Sequence, residues 1–194
     1  MAYAPRHPYR WAAVLGFVTG VAEIFAGLAG FNPALTADGL HALVDGLANA
    51  VSAIVAERGN GWRSRGARVN GAFLFFGSLW IASEAIEAIV EGGAIPTRFS
   101  IVVAGVGLAV NMAQYALVAA DSHRDALRGS TLDHIGGDLR GSLVVVAVGL
   151  AAHGAQVLRL PVAPFLVPVA ALFLAAWLAK KGIRWASASC DHHH

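Results

Sequence analysis

The sequence predicts an all-α, polytopic membrane protein, a bundle of six transmembrane helices with both termini on the cytoplasmic side. Three observations predict this class. Hydrophobic residues make up 57% of the 194 residues and charged residues only 13%, whereas a soluble domain carries roughly 25% charged residues. Apolar runs of about 20 residues, long enough to cross a hydrocarbon core of about 30 Å, recur along the whole chain. The third observation is the placement of Lys and Arg.

The apolar runs predict helices at residues 11–30, 34–56, 69–90, 99–120, 126–153 and 161–181. Gly92, Gly93 and Pro96 predict a tight turn in the third connection, and Pro161 is predicted to open the last helix. Together these helices form one transmembrane domain at 1–186. Residues 187–194 are predicted to be a C-terminal tail, whose closing run of His resembles an expression-tag remnant.

Basic residues alternate between the two sides of this six-helix arrangement. Arg98 and Arg159 fall on one side, and Arg140 falls inside the fifth span. The other side carries 11 of the 14, namely Arg6, Arg10, Arg58, Arg63, Arg65, Arg68, Arg124, Arg128, Lys180, Lys181 and Arg184. Because Lys and Arg mark the cytoplasmic side, both termini are predicted to be cytoplasmic, and we expect a multi-pass protein of the bacterial inner membrane.

Several function classes are disfavoured. The single Cys190 excludes an intramolecular disulfide and any multi-cysteine metal site. The basic residues are explained by membrane topology, so they do not indicate nucleic-acid binding. An intramembrane zinc hydrolase is disfavoured because the sequence has no H-E-x-x-H motif. The sequence therefore indicates a membrane protein that binds or transports a ligand, and not an enzyme.

Polar residues form a stripe along one face of the second and of the fifth predicted helix. Ionisable residues within hydrocarbon cost at least about 2.5 kcal/mol each, so they are expected to face a cavity or a partner. In the second helix the spacings are three and four, through Asp38, His41, Asp45, Asn49 and Ser52. The fifth helix carries a similar stripe from Ser130 to Ser142, which predicts a place at the centre of the bundle.

Both stripes contain a His followed four residues later by an Asp: His41 with Asp45, and His134 with Asp138. Residues at i and i+4 share a helix face, and can bind one cation together. At about 1.5 Å per residue, all four side chains fall near the bilayer midplane. Two imidazoles and two carboxylates suit a tetrahedral Zn²⁺ site, so we predict that these four residues bind metal.

Four further carboxylates are secondary candidates. Asp38 and Asp133 are interpreted as supporting or cation-entry groups, with helix capping or a solvated position as the alternative. Glu84 and Glu87 lie toward the outer end of the third helix, where they could guide exiting cations. A salt bridge to Arg140 would explain these two glutamates equally well.

Two H-x-x-x-D motifs in the second and fifth of six helices, with Asp38 before His41 and Asn111 in the fourth helix, resemble the cation diffusion facilitators. This resemblance covers the chain from Trp11 to about Arg184. It implies a homodimer in the bilayer that exports a divalent transition metal from the cytoplasm in exchange for protons, by alternating access. It also assigns the transport site to His41, Asp45, His134 and Asp138, with Zn²⁺ as the transported substrate and Co²⁺ or Cd²⁺ as alternatives, and with no cofactor.

One departure from the family is expected. Members commonly continue into a cytoplasmic ferredoxin-like domain, whereas this sequence ends about ten residues after Arg184, so it is interpreted as a member without that domain, naturally short or truncated. Two other functions remain open at the level of the sequence. One is a passive cation channel, and the other is a metal-binding membrane subunit that does not transport.

Overall fold

The computed structural model describes residues 7–29, 33–93 and 95–187, and the regular structure in these ranges is entirely helical. A π-helical turn at Val144–Val148 joins the fifth helix to the sixth, and a 3-10 turn at Ala163–Phe165 leads into the seventh. The helices are α1 (Pro8–Ala29), α2 (Pro33–Ala56), α3 (Asn60–Val90), α4 (Arg98–Ala119), α5 (Ala126–Leu143), α6 (Gly149–Val157) and α7 (Leu166–Ala186). The predicted all-α class is confirmed.

Five stretches of the described chain are long and apolar enough to cross a membrane, judged by length and composition. They are Gly39–Ala56, Gly61–Val90, Arg98–Ala119, Ala126–Val157 and Ala163–Ala186. The fourth of these combines α5, the π turn and α6 in one span. With α1, a further apolar helix of 22 residues that packs on α2, they form the predicted multi-pass bundle.

The third span differs from its predicted limits. It was expected to begin at residue 69, but α3 begins at Asn60, so most of the expected basic loop is helical. Arg is a good helix former, which allows the helix to continue beyond its apolar run. At this end Arg58 and Arg65 stack on Trp62, with each guanidinium carbon 4.8–4.9 Å from the ring centroid.

The last span also differs, because Pro161 does not open the helix. It lies in a turn after Arg159, which has a positive φ of 56°, and α7 begins only at Leu166. The tight turn predicted between the third and fourth spans is present. Gly92 and Gly93 adopt φ of +99° and +90° there, a region that favours glycine.

Glycines bring two helix pairs into close contact. A Cβ at Gly20 of α1 would lie 2.7 Å from the carbonyl oxygen of Gly39 of α2. Similarly, a Cβ at Gly182 of α7 would lie 2.6 Å from the backbone nitrogen of Phe75 of α3. Small residues of this kind allow membrane helices to approach closely. The pairs α1/α2 and α3/α7 are therefore the tightest contacts, and α5 lies between them, in contact with α2, α3, α4 and α7.

The buried core lies toward one end of the bundle. We call the end that carries most of the Arg and Lys, predicted to be cytoplasmic, the inner end, and the opposite end the outer end. A buried cluster near the inner end consists of Tyr9, Ala12, Val55, Val118, Leu127 and Ile135. This asymmetry determines the surroundings of the candidate site.

Candidate metal centre

The polar faces of α2 and α5 meet near the middle of the bundle. Within α2, Nε2 of His41 lies 3.6 Å from Oδ2 of Asp45. Across the helix interface, Nε2 of His134 donates a hydrogen bond of 3.0 Å to Oδ1 of the same Asp45. Asp45 thus contacts both imidazoles, one through each carboxylate oxygen.

Asp138 completes a group that could bind a cation. One nitrogen of His41 and one carboxylate oxygen each of Asp45 and Asp138 lie within 4.8 Å of one another, and each of these side chains is partly buried. Imidazole nitrogen and carboxylate oxygen are both ligands for Zn²⁺. Among the described residues this is the one group of three or more such side chains that could hold a metal ion.

His134 belongs to this arrangement through Asp45. Its side chain is 5% exposed, and its second ring nitrogen, Nδ1, has no hydrogen-bond partner in the described chain. The structure therefore brings the four predicted residues together, three of them as a compact donor group and the fourth on a shared carboxylate. Their role as metal ligands stays a prediction.

A cavity of about 550 Å³ gives access to this group. His41, Asp45 and Asp138 form part of its wall, which continues to Trp80 and Glu84 on the outer half of α3. Since α3 runs from the inner to the outer end, the cavity extends from the candidate site toward the outer side. Its other polar lining residues include Thr19, Glu23, Ser100, Asn111, Gln114 and Ser142.

The structure separates the secondary candidates. Glu84 lines the cavity and accepts a 2.6 Å hydrogen bond from Nε1 of Trp80, whereas Glu87 is exposed and does not line the cavity. The alternative salt bridge to Arg140 is not formed. Arg140 is exposed; it donates to the carbonyl oxygen of Gly136 and stacks on Trp177 at 4.3 Å.

Asp133 faces α7, away from the donor group. Its carboxylate accepts hydrogen bonds from Lys181 at 3.1 Å, from Arg184 at 2.8 Å and from the indole of Trp185 at 2.7 Å. It ties α5 to α7 near the inner end. The side chain of the other Asp candidate, Asp38, lies outside the described residues.

A charged network that sequence reasoning missed closes the inner end. We call Tyr9, Arg63, Asp121 and Asp125 the inner latch. Arg63, with a side chain 6% exposed, forms ion pairs with Asp121 and Asp125 of the α4–α5 connection. The Tyr9 hydroxyl donates to Asp121 at 2.7 Å. In the sequence these residues resemble ordinary positive-inside charges and loop acids, so no local signal identifies the network.

The inner latch favours the ionised form of Asp121. Burial opposes ionisation, but hydrogen bonds from Tyr9, His123 and Arg63 outweigh it and lower the pKa of Asp121 from 3.8 to about 2. Asp125 also accepts a hydrogen bond of 3.1 Å from the backbone N–H of Arg128, which caps α5. The latch thus joins the start of α1, the start of α3 and the connection that leads into α5.

One comparison with known proteins gives a match. A family model described as the cation efflux transmembrane domain matches residues 62–191. The match covers α3 to α7, including His134 and Asp138, and leaves out α2. His41 and Asp45 are therefore connected to the matched part by the geometry described above. No curated protein gives a significant match.

Proposed function

This chain belongs to the cation efflux family, and from that premise we propose that it exports a divalent transition metal, Zn²⁺ first among the candidates, in exchange for protons. Membership of this transporter family supports a metal ion as the substrate and a membrane setting. The observation that carries the proposal is the donor group of His41, Asp45 and Asp138 at the wall of a cavity.

Zn²⁺ is the proposed substrate because of the donors. With His134, the four side chains offer two nitrogens and two carboxylates, a set that matches the tetrahedral preference of Zn²⁺. Mg²⁺ and Ca²⁺ prefer oxygen ligands in larger number. Co²⁺ and Cd²⁺ are the alternatives that a transport assay should include.

The hydrogen bond between His134 and Asp45 supports exchange for protons. Nε2 of His134 and Oδ1 of Asp45 lie 3.0 Å apart and share a proton, and a cation that binds both of these atoms would take the place of that proton between them. Metal binding requires a neutral imidazole and an ionised carboxylate, which means that metal and protons compete for the same atoms. One site then couples the two fluxes.

Alternating access is proposed from the asymmetry of the bundle. The cavity extends to the outer half, while the inner latch and the buried cluster close the inner end. This arrangement is expected for a state that releases metal outward. Loading from the cytoplasm then requires the inner end to open. We further propose a homodimer in the bacterial inner membrane, on the family resemblance, testable by the mass of the purified protein in detergent.

The test is zinc transport by purified protein in sealed liposomes, with and without a pH gradient. We expect zinc flux that rises with the gradient and is accompanied by proton movement in the opposite direction. D45N and H134A should abolish flux and weaken zinc binding by at least about 100-fold, since metal-ligand residues contribute more than the 10–100-fold typical of their supporting groups.

The matched control is D133N, which neutralises a carboxylate one residue from His134 that faces α7. We expect it to bind zinc as the unmodified protein does. Zinc flux of the same rate with and without the pH gradient would indicate a passive channel. Zinc binding without zinc flux would indicate a non-transporting subunit. Unchanged transport by H134A would overturn the site assignment.

A further inference from the structure

A cluster of uncharged polar side chains lies between the candidate metal site and the inner latch. We call Asn49, Ser52, Asn70, Ser130 and Thr131 the inner polar cluster. They come from α2, α3 and α5, and each is at most 1% exposed. Buried polar groups between membrane helices need partners, because each unsatisfied group costs about 1–3 kcal/mol. How these groups are satisfied therefore indicates what the cluster is for.

Most hydroxyl hydrogens in the cluster point away from its centre. Ser130 and Thr131 donate to the carbonyl oxygen of Leu127, at 3.0 and 2.8 Å. Ser52 lies 3.0 Å from the carbonyl oxygen of Ala48. The hydroxyl oxygens therefore face inward as acceptors, around the single amide nitrogen of Asn70.

That amide nitrogen has more acceptors than hydrogens. Nδ2 of Asn70 lies 2.9 Å from the oxygens of both Ser52 and Thr131, and 3.4 Å from that of Ser130. An amide has two hydrogens for these three oxygens. In addition, Oδ1 of Asn70 and both side-chain polar atoms of Asn49 have no hydrogen-bond partner within the described chain. Beside the three hydroxyl oxygens, the cluster thus contains, among the described residues, two carbonyl oxygens without a partner, on Asn49 and Asn70, and one amide nitrogen without a partner, on Asn49.

The cluster continues the polar faces that carry the candidate site. Asn49 and Ser52 follow Asp45 by four and seven residues, and Thr131 precedes His134 by three residues. Residues at these spacings share a helix face. The polar line therefore extends from the cavity, through the candidate site, to the inner latch.

We infer that the inner polar cluster is the inner section of the cation pathway, through which a divalent cation reaches His41, Asp45, His134 and Asp138 when the inner end opens. This inference rests on the proposed export function. Neutral oxygens can replace part of the hydration shell of a cation, but without negative charge they do not hold it tightly. Such a lining lets the cation pass to the charged site, where it binds. Asn49 lies one turn from Asp45, and its side chain has no hydrogen-bond partner in the described chain. It is the last group of the cluster that the cation contacts before it reaches Asp45.

The test is labelling of introduced cysteines by a membrane-impermeant, positively charged methanethiosulfonate. The background is C190A, in which the native cysteine is removed. S52C and T131C probe the cluster from two helices, so the test does not depend on one variant folding. S78C is the matched control, because Ser78 is equally buried, on α3, and bonds to its own helix. A104C, on the cavity wall, reports access from the outer side.

In inverted vesicles, where the inner end faces the reagent, we expect S52C and T131C to be labelled at least about tenfold faster than S78C, since labelling requires a populated open state. Labelling should also abolish zinc flux. In right-side-out vesicles A104C should react and the cluster cysteines should not. Cluster cysteines that react no faster than S78C, in protein that transports zinc, would overturn this inference alone. Absence of zinc transport in both the unmodified protein and C190A would overturn the proposed function as well.

Discussion

The inner and outer halves of the bundle are built from the same helices but differ in how those helices meet. In the inner half, α2, α3 and α5 are joined through the inner polar cluster, and the inner latch ties α1 and α3 to the α4–α5 connection. In the outer half, the same helices line a cavity of about 550 Å³. The inner half therefore closes by polar contacts between helices, in addition to apolar packing.

This difference identifies what must change during transport. Lipid tails are as apolar as Leu side chains, so apolar packing alone gives membrane helices little preference for one another. Directed hydrogen bonds and ion pairs do give a preference. On the proposed function, the contacts of the inner half select the outward-open state, and their loss permits the opposite state.

The largest effect is expected from R63A, which removes the centre of the inner latch. Asp121 and Asp125 would lose their buried guanidinium partner, and breaking a buried ion pair costs about 3–5 kcal/mol. We expect a lower thermal midpoint in detergent, and faster labelling of S52C from the inner side. R65A is the control, because Arg65 is exposed on the same helix and stacks on Trp62. Equal midpoints for the two variants would show that the latch does not hold the inner half closed.

A smaller effect is expected where glycine sets the distance between α3 and α7. In G182A the new Cβ would lie 2.6 Å from the backbone nitrogen of Phe75, and overpacking of this kind costs about 1–3 kcal/mol. G105A is the control, since its Cβ would meet nothing within 4 Å. We expect only G182A to lower the thermal midpoint. A similar loss in G105A would mean that the close contact is not the cause.

The pKa of Asp121 predicts a pH dependence of the inner half. Its value of about 2 lies below the ordinary 3.8, so ionised Asp121 stabilises the folded state above about pH 4. That stability is lost as the pH falls from about 4 through 2. We expect the difference in thermal midpoint between the unmodified protein and D121N to shrink over this range. A difference in thermal midpoint that does not change with pH would mean that ionised Asp121 is not the source of the stabilisation.

The smallest effect is expected from Y9F, which removes one hydrogen bond from the inner latch. The Tyr9 hydroxyl donates to Asp121 at 2.7 Å, and such a bond contributes about 1 kcal/mol. Y115F is the control, because Tyr115 is exposed on α4. Chemical unfolding in mixed micelles should show a lower free energy of unfolding for Y9F than for the unmodified protein, and an unchanged one for Y115F. Equal losses would indicate that removal of a phenol hydroxyl is destabilising wherever it lies.

The sequence predicts part of the candidate site well. His41 and Asp45 share a helix face because of their spacing, and their side chains approach to 3.6 Å. Spacing could not show that His134 contacts Asp45 and not Asp138, its own i+4 neighbour. Nor could spacing show that Asp133 faces α7 while His134, the next residue in the sequence, faces Asp45. The direction of each side chain depends on how α5 is rotated against its neighbours.

By itself, the sequence determined the approximate positions of the spans, although not where α3 and α7 begin, and it also determined the basic end and the two polar faces. These follow from composition, charge placement and helical periodicity, which are local properties of the chain. The tertiary structure alone decided which end is closed, because closure depends on partners such as Tyr9 and Asp121 that lie 112 residues apart. It also decided the π turn within the fifth span. A hydropathy pattern reports the preference of each residue for lipid or water, and it contains no information about which polar group another will meet.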